Sequence, residues 1–228
     1  YNSTSNVVKA QSFNPGSWAT SGTLNTAGYG MGGSSYGTQT ASLGFGGYNG
    51  PPGTRKVNTE LYNGSTWTEV NNLGTGRYRL VGAGTSTSAL AIGGNVPPMT
   101  NKTELWNGAP YNKDQTELWN GTNWTETTDL GTARYSQNGG AGTATAALYI
   151  GGNVPGPGAN SGVTEKWNGS NWTEVADLNT ARRYLAGSGH TNTLALASGG
   201  NVSPRGQTET WNGTSWSETG DLNDGRQN

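Results

Sequence analysis

One phrase, written five times, governs what this chain can fold into. VTEKWNGSNWTEVADLNTAR surrounds Trp172, and close copies surround Trp67 (NTELYNGSTWTEVNNLGTGR), Trp124 (QTELWNGTNWTETTDLGTAR) and Trp216 (QTETWNGTSWSETGDLNDGR). A degenerate copy, KAQSFNPGSWATSGTLNTAG, surrounds Trp18. Between copies recurs a second piece, GAGTSTSALAIGG at 82–94, GAGTATAALYIGG at 140–152, GSGHTNTLALASGG at 187–200 and a looser SYGTQTASLGFGG at 35–47. Successive copies of the second Trp lie 49, 57, 48 and 44 residues apart. A unit of this size cannot bury its own apolar face, so each must stack on its neighbours.

Four strand-like pieces per unit of about 50 residues predict the blades of a β-propeller. Each unit supplies a Gly-rich first strand (Tyr78 to Gly84), a small-apolar second strand ending in a Gly doublet (Ala89 to Gly94), a third (Thr164 to Trp167) and a fourth (Trp172 to Val175). Asn-Gly pairs at 63–64, 120–121, 168–169 and 212–213 fall between strands three and four, where that dipeptide suits an antiparallel hairpin. Gly, Asn, Thr and Ser make up roughly half the chain and are poor helix interiors, which argues against helix.

These features resemble the Kelch repeat family. A Gly doublet closes the second strand (Gly46-Gly47, Gly93-Gly94, Gly151-Gly152, Gly199-Gly200), and an aromatic on the third strand precedes a Trp on the fourth by five positions. The aromatic pairs are Phe13 and Trp18, Tyr62 and Trp67, Trp119 and Trp124, Trp167 and Trp172, Trp211 and Trp216. Arg77, Arg134, Arg182 and Arg226 lead into the next unit, with Gly28 at that place in the first. The resemblance implies an all-β propeller of four-stranded antiparallel blades. It divides the chain into a partial blade at 1–27 and full blades at 28–76, 77–133, 134–181 and 182–228. The N-terminus offers only strands three and four, and the chain starts at Tyr1 rather than Met and stops where a complementary first strand is due. The expectation is therefore a partial or processed product of a longer chain closing about five blades; a four-blade ring with a strand pair left over is the alternative. The GTxTAAL and LNTAR phrases, in a Thr-, Asn- and Gly-rich dialect, resemble repeat-bearing virion structural proteins of marine bacteriophages.

Composition bounds the function. Leu, Ile, Val and Phe supply only about 13% of the 228 residues, a level associated with disorder, but disorder also needs a high net charge and the charge here is −1. Nine Trp and ten Tyr replace the missing aliphatic volume. With 13 basic and 14 acidic residues there is no basic excess for nucleic acid, and no apolar run suffices for membrane insertion. Zero Cys and a single His exclude thiolate chemistry and a multi-His metal centre within one chain. No cofactor is implied.

Paired carboxylates can mark a glycosidase, yet Glu60, Glu117, Glu165 and Glu209, and with them Glu69, Glu126, Glu174 and Glu218, recur in every unit. A catalytic site needs one asymmetric constellation, so these read as structural. Trp67, Trp124, Trp172 and Trp216 read as filling between blades, together with the structural doublets. His190 reads as a turn residue in the place of Thr85 and Thr143. Nine Asn-X-Ser/Thr sequons are compatible with glycans without requiring them.

What varies between units is the connection from strand two to strand three: YNGPPGTRKVN, NVPPMTNK, NVPGPGANSG and NVSPRGQ. The second unit also duplicates TELWNG at 103–108 and 116–121, which places Trp106 or its equivalent in a bulge. Loops on a rigid scaffold are where binding concentrates, and the candidate ligand residues are Tyr48, Arg55, Lys56, Met99, Trp106, Tyr111 and Arg205. The expected function is a non-enzymatic structural or adhesion protein of a virion, in a phage tail or on a particle surface, with neighbouring virion proteins or a host-surface glycan or protein as partner. Homo-oligomerisation in the particle is compatible with this, and a secreted lectin is the alternative.

Overall fold

The computed structural model describes residues 9–14, 17–50, 53–95, 116–135, 139–154 and 159–225, with side chains from residue 21 onward. Among these residues every regular element is a strand. Strands β1 (Lys9–Asn14) and β2 (Ser17–Thr23) form a two-stranded sheet. Four antiparallel sheets of four sequence-consecutive strands follow. The first holds β3 (Gly32–Gly33), β4 (Ser42–Phe45), β5 (Thr59–Tyr62) and β6 (Trp67–Val70); the second β7 (Val81–Gly84), β8 (Ala89–Ile92), β9 (Thr116–Trp119) and β10 (Trp124–Thr127). The third holds β11 (Gly139–Thr143), β12 (Ala146–Asn153), β13 (Asn160–Trp167) and β14 (Trp172–Val175); the fourth β15 (Ala186–Thr191), β16 (Leu194–Ser198), β17 (Thr208–Trp211) and β18 (Trp216–Glu218). The first strands are shorter than the sequence predicts: β7 starts at Val81, and Tyr78 instead makes an isolated bridge to Asn95. Conversely, β13 starts four residues before Thr164.

The hairpin between the third and fourth strands of each sheet is set by its Asn-Gly pair. Asn168 Oδ1 accepts the amides of Ser170 and Asn171 at 2.9 and 2.8 Å, while Gly169 takes φ +97°, a conformation that favours glycine. Asn63, Asn120 and Asn212 repeat the arrangement. This turn puts the two aromatics of each unit directly opposite one another, with ring centroids 5.0–5.5 Å apart.

The innermost strands approach one another more closely than side chains allow. A Cβ on Gly82 would sit 1.9 Å from the carbonyl oxygen of Gly33, and one on Gly187 2.5 Å from the amide nitrogen of Gly140. Glycine is thus required there by contact between neighbouring sheets. Met31, Val81, Gly140 and Leu185, one from each four-stranded sheet's first strand or the approach to it, line a common cavity of about 280 Å³.

Between adjacent sheets lie three apolar clusters, one per seam. The middle one joins Val81, Leu90 and Ile92 of the second sheet to Ala147, Tyr149 and Trp167 of the third; equivalent clusters occupy the other two seams. Each seam is also locked by polar contacts that run from one unit to the next. Trp124 donates Nε1–H to Thr59 Oγ1 at 3.0 Å, Trp172 to Thr116 at 3.0 Å and Trp216 to Thr164 at 3.1 Å. The glutamates of the third strands receive the end of the preceding unit: Glu165 takes the amides of Gly131 and Thr132 and pairs with Arg134 at 2.8 Å, both side chains buried. Arg77 with Glu117 (2.9 Å) and Arg182 with Glu209 (2.6 Å) repeat the clamp. Desolvation pulls the Arg77 and Arg134 guanidinium groups below the ordinary arginine value, opposed by Glu117 in the one and by Tyr149 and Glu165 in the other. Arginine nonetheless keeps its charge.

Removing one member of a buried pair strands the other, so Glu165→Ala should lose about 3–5 kcal/mol in urea unfolding. The double variant Arg134→Met/Glu165→Met should lose less than Glu165→Ala alone. A second expectation concerns the contact between the β1–β2 hairpin and the first four-stranded sheet, where Trp67 Nε1 is buried without a partner among the described residues. The repeat register puts Ala10 where later units have the accepting threonine. Ala10→Thr should add about 1 kcal/mol by supplying the hydroxyl, whereas Thr116→Val should cost about 1–3 kcal/mol.

Candidate functional site

Two connections converge on the face that carries the variable loops: the one from the second to the third strand within a sheet, and the one from the fourth strand to the next sheet. The backbone of Tyr29 pairs with Tyr48 in both directions at 3.0 Å, Tyr48 pairs in turn with Arg55, and Tyr78 pairs with Asn95. Gly47, at φ +109°, donates its amide to Arg77 O at 2.8 Å and so ties the first loop to the next unit. These bridges bring three tyrosine rings together. Tyr29 meets Tyr48 and Tyr78 edge-on at 5.4 and 6.3 Å, and Tyr48 lies 5.3 Å from Tyr78 with the planes tilted by 30°.

Two guanidinium groups cap the rings. Arg55 sits 5.5 Å from the Tyr48 centroid and 5.3 Å from that of Tyr78, and donates to Asn95 Oδ1 at 3.2 Å. Arg79 lies 5.3 Å from the Tyr78 centroid. Neither takes part in any ion pair among the described residues. Tyr29 is 39% exposed, and the remaining four side chains are half-buried. The result is a platform of aromatic faces and hydroxyls with two cations beside it. Cation–π contact holds the guanidinium planes without consuming their hydrogen-bond donors.

Of the residues expected from the sequence, Tyr48 and Arg55 come together here. Lys56 does not join them; it is buried and structural. Its ammonium reaches the carbonyl of Ala27 and faces Gly28, the position where later units carry the clamp arginine. Glu60, the local clamp glutamate, takes the amides of Asn25 and Thr26 at 2.8 Å. Lys56 therefore substitutes from another loop for the missing arginine. Burial lowers its pKa from the ordinary 10.5 and the charge of Glu60 opposes that. Arg205 is exposed on the β16–β17 connection and is not part of the stacking. Met99, Trp106 and Tyr111 lie outside the described residues.

Tyr29, Tyr78 and Arg79 are missed by the sequence reading, which places Tyr78 in a first strand. The signal was present: tyrosine follows Gly28, Arg77 and Arg134 alike. His190 is also misplaced by that reading. Thr191, paired with Leu194, occupies the place of Thr143, paired with Ala146, and a register shift between Ser188 and Thr191 marks a β-bulge that accommodates the extra residue. The bulged His190 packs edge-on against Tyr36 at 4.5 Å, joining the fourth sheet to the first.

The Trp pairs face the seams, and the inner glutamates are consumed by the clamps. Among the described residues no group of three or more His, Cys, Asp or Glu converges as for a metal ion. Comparison with protein-family models gives no match, and no curated protein matches the chain.

The two neighbouring basic residues should separate experimentally. Lys56→Met should lower thermal stability, while Arg55→Ala stays within about 1 kcal/mol of the parent. Because the unfolded chain holds the Lys56 proton more tightly than the folded one, the stability of the parent relative to Lys56→Met should rise as pH climbs from the lowered value towards 10.5. Denaturant titrations at neutral and alkaline pH measure both.

Proposed function

We propose that the four sheets are blades of a Kelch-like propeller and that the chain is a non-catalytic adhesion module which holds a host-surface glycan on the Tyr29–Tyr48–Tyr78 platform. The observation that carries the binding reading is that cluster: aromatic rings, hydroxyls and guanidinium donors assembled at one place by loops that differ from unit to unit. Sugars offer C–H faces to aromatic rings and hydroxyls to such donors, which suits this combination. Tyrosine also brings contact area at small conformational cost.

Support for the propeller comes from the antiparallel order of every four-stranded sheet, from glycine-only contacts between first strands and from a cavity shared by all four sheets. The repeated glutamates support a non-catalytic role, since each lies in an equivalent clamp rather than in one asymmetric cleft. A place in a phage-type particle is proposed from the GTxTAAL and LNTAR phrases.

Tyr48→Ala and Tyr78→Ala should each weaken glycan binding on an array by about tenfold or more, the usual cost of truncating an aromatic anchor. Unchanged binding in both variants would refute the site. Co-purification with capsid or tail proteins is expected for a particle component; free protein that binds the same glycans would favour a secreted lectin.

A further inference from the structure

We infer that the ligand of the tyrosine platform is an acidic saccharide, one bearing a carboxylate or sulfate, and that Arg79 is a ligand-binding residue maintained there at a cost to the fold. The inference rests on the binding site proposed above and adds the charge of what it takes.

The first argument is electrostatic. The chain as a whole carries a net charge of −1, yet seven of its carboxylates are engaged elsewhere. Glu60, Glu117, Glu165 and Glu209 are buried in the seams. Glu69 receives Asn58, and Asp177 and Asp221 receive the amides of Thr164 and Thr208. Arg55 and Arg79 are left beside the tyrosines with no carboxylate partner among the described residues. Arg55 Nε is in addition buried without a hydrogen-bond partner. A half-buried pair of cations with unused donors favours an anion over a neutral hydroxyl, because charge-assisted hydrogen bonds are the stronger ones.

The second argument is conformational. The residue two places after each unit's lead position is left-handed wherever it is described: Gly30 has φ +64°, Arg79 φ +55° and Tyr184 φ +59°. Glycine adopts this region freely, whereas other L residues pay for it with steric strain. At Arg79 the strained backbone aims a guanidinium over Tyr78, and its amide still donates to Gly30 O at 2.6 Å. The first unit shows that glycine satisfies the fold at this position. Tyr184 holds the same conformation outside the tyrosine cluster, so what sets Arg79 apart is the guanidinium that this backbone brings over Tyr78.

A saccharide is favoured over an acidic peptide by the three adjoining tyrosine rings with their hydroxyls beside the two guanidinium groups. The test uses matched probes with the intact chain: a galacturonic acid trimer beside its methyl ester, and sialyllactose beside its methyl ester. The parent should bind the acid of at least one pair about ten- to hundredfold more tightly than its neutral counterpart, the range expected for hydrogen bonds to a charged group, and the preference should fall with added salt. Arg79→Gly should lose that preference and melt no lower than the parent. Equal affinity within every pair, or an Arg79→Gly variant that still discriminates, overturns the inference while leaving the glycan site standing. Displacement of the acidic sugar by a glutamate hexapeptide at lower concentration assigns the site to acidic peptides instead. Binding of no sugar in either pair overturns both readings.

Discussion

The fold depends on a carboxylate that belongs to one sheet and does its bonding in the chain leading up to it. Each third-strand glutamate collects backbone amides and, in three of the four units, the guanidinium of the arginine that ends the preceding fourth-strand segment. Because the residues it gathers lie roughly 30–40 positions earlier, the clamp fixes how one unit enters the next. An ion pair of this kind contributes little net stability against a well-packed apolar substitute. Its effect is geometric: the connection has one place to dock, and the apolar clusters of the seam then pack in a single register.

With that entry fixed, the inner strands must meet backbone to backbone. This accounts for the shortage of aliphatic residues that makes the composition resemble a disordered chain. Volume near the shared cavity is so limited that glycine and alanine fill it, and the bulk of the apolar packing moves outward to the tryptophans. The third-strand Trp119, Trp167 and Trp211 are almost wholly buried, and their indole N–H groups donate to carbonyls in the first hairpin of their own sheets. The fourth-strand tryptophans reach across to the neighbouring sheet. The two aromatics of a unit therefore have different tasks, one closing its own sheet and the other tying it to the sheet before.

Most of this architecture was legible because the sequence repeats it. Recurrence of the Asn-Gly turn, the Gly doublet and the aromatic pair in each unit places the strands to within a few residues and identifies the glutamates as structural. What was not legible is whatever departs from the repeat. Lys56 serves a position 28 residues earlier, and nothing near it in sequence distinguishes it from the loop residue Arg55. The one-residue surplus before Thr191 could be placed on either side of His190 until strand pairing fixed it. Tyr29, Tyr78 and Arg79 were visible as residues but not as neighbours, since their meeting depends on bridges between loops that no periodicity encodes.

The sameness of the seams has a consequence for assembly. Each of the three seams between consecutive four-stranded sheets presents the same glutamate, the same tryptophan donor and nearly the same apolar partners, so these contacts do not by themselves encode which unit stands next to which. Chains with interchangeable interfaces are prone to docking the wrong neighbours as they fold, within one molecule or between two. The irregular features break that degeneracy. The lysine in the first clamp and the bulged histidine against Tyr36 each occur once among the described units, and they label the first sheet and its junction with the fourth. In a molecule otherwise written in copies, the exceptions supply the addresses.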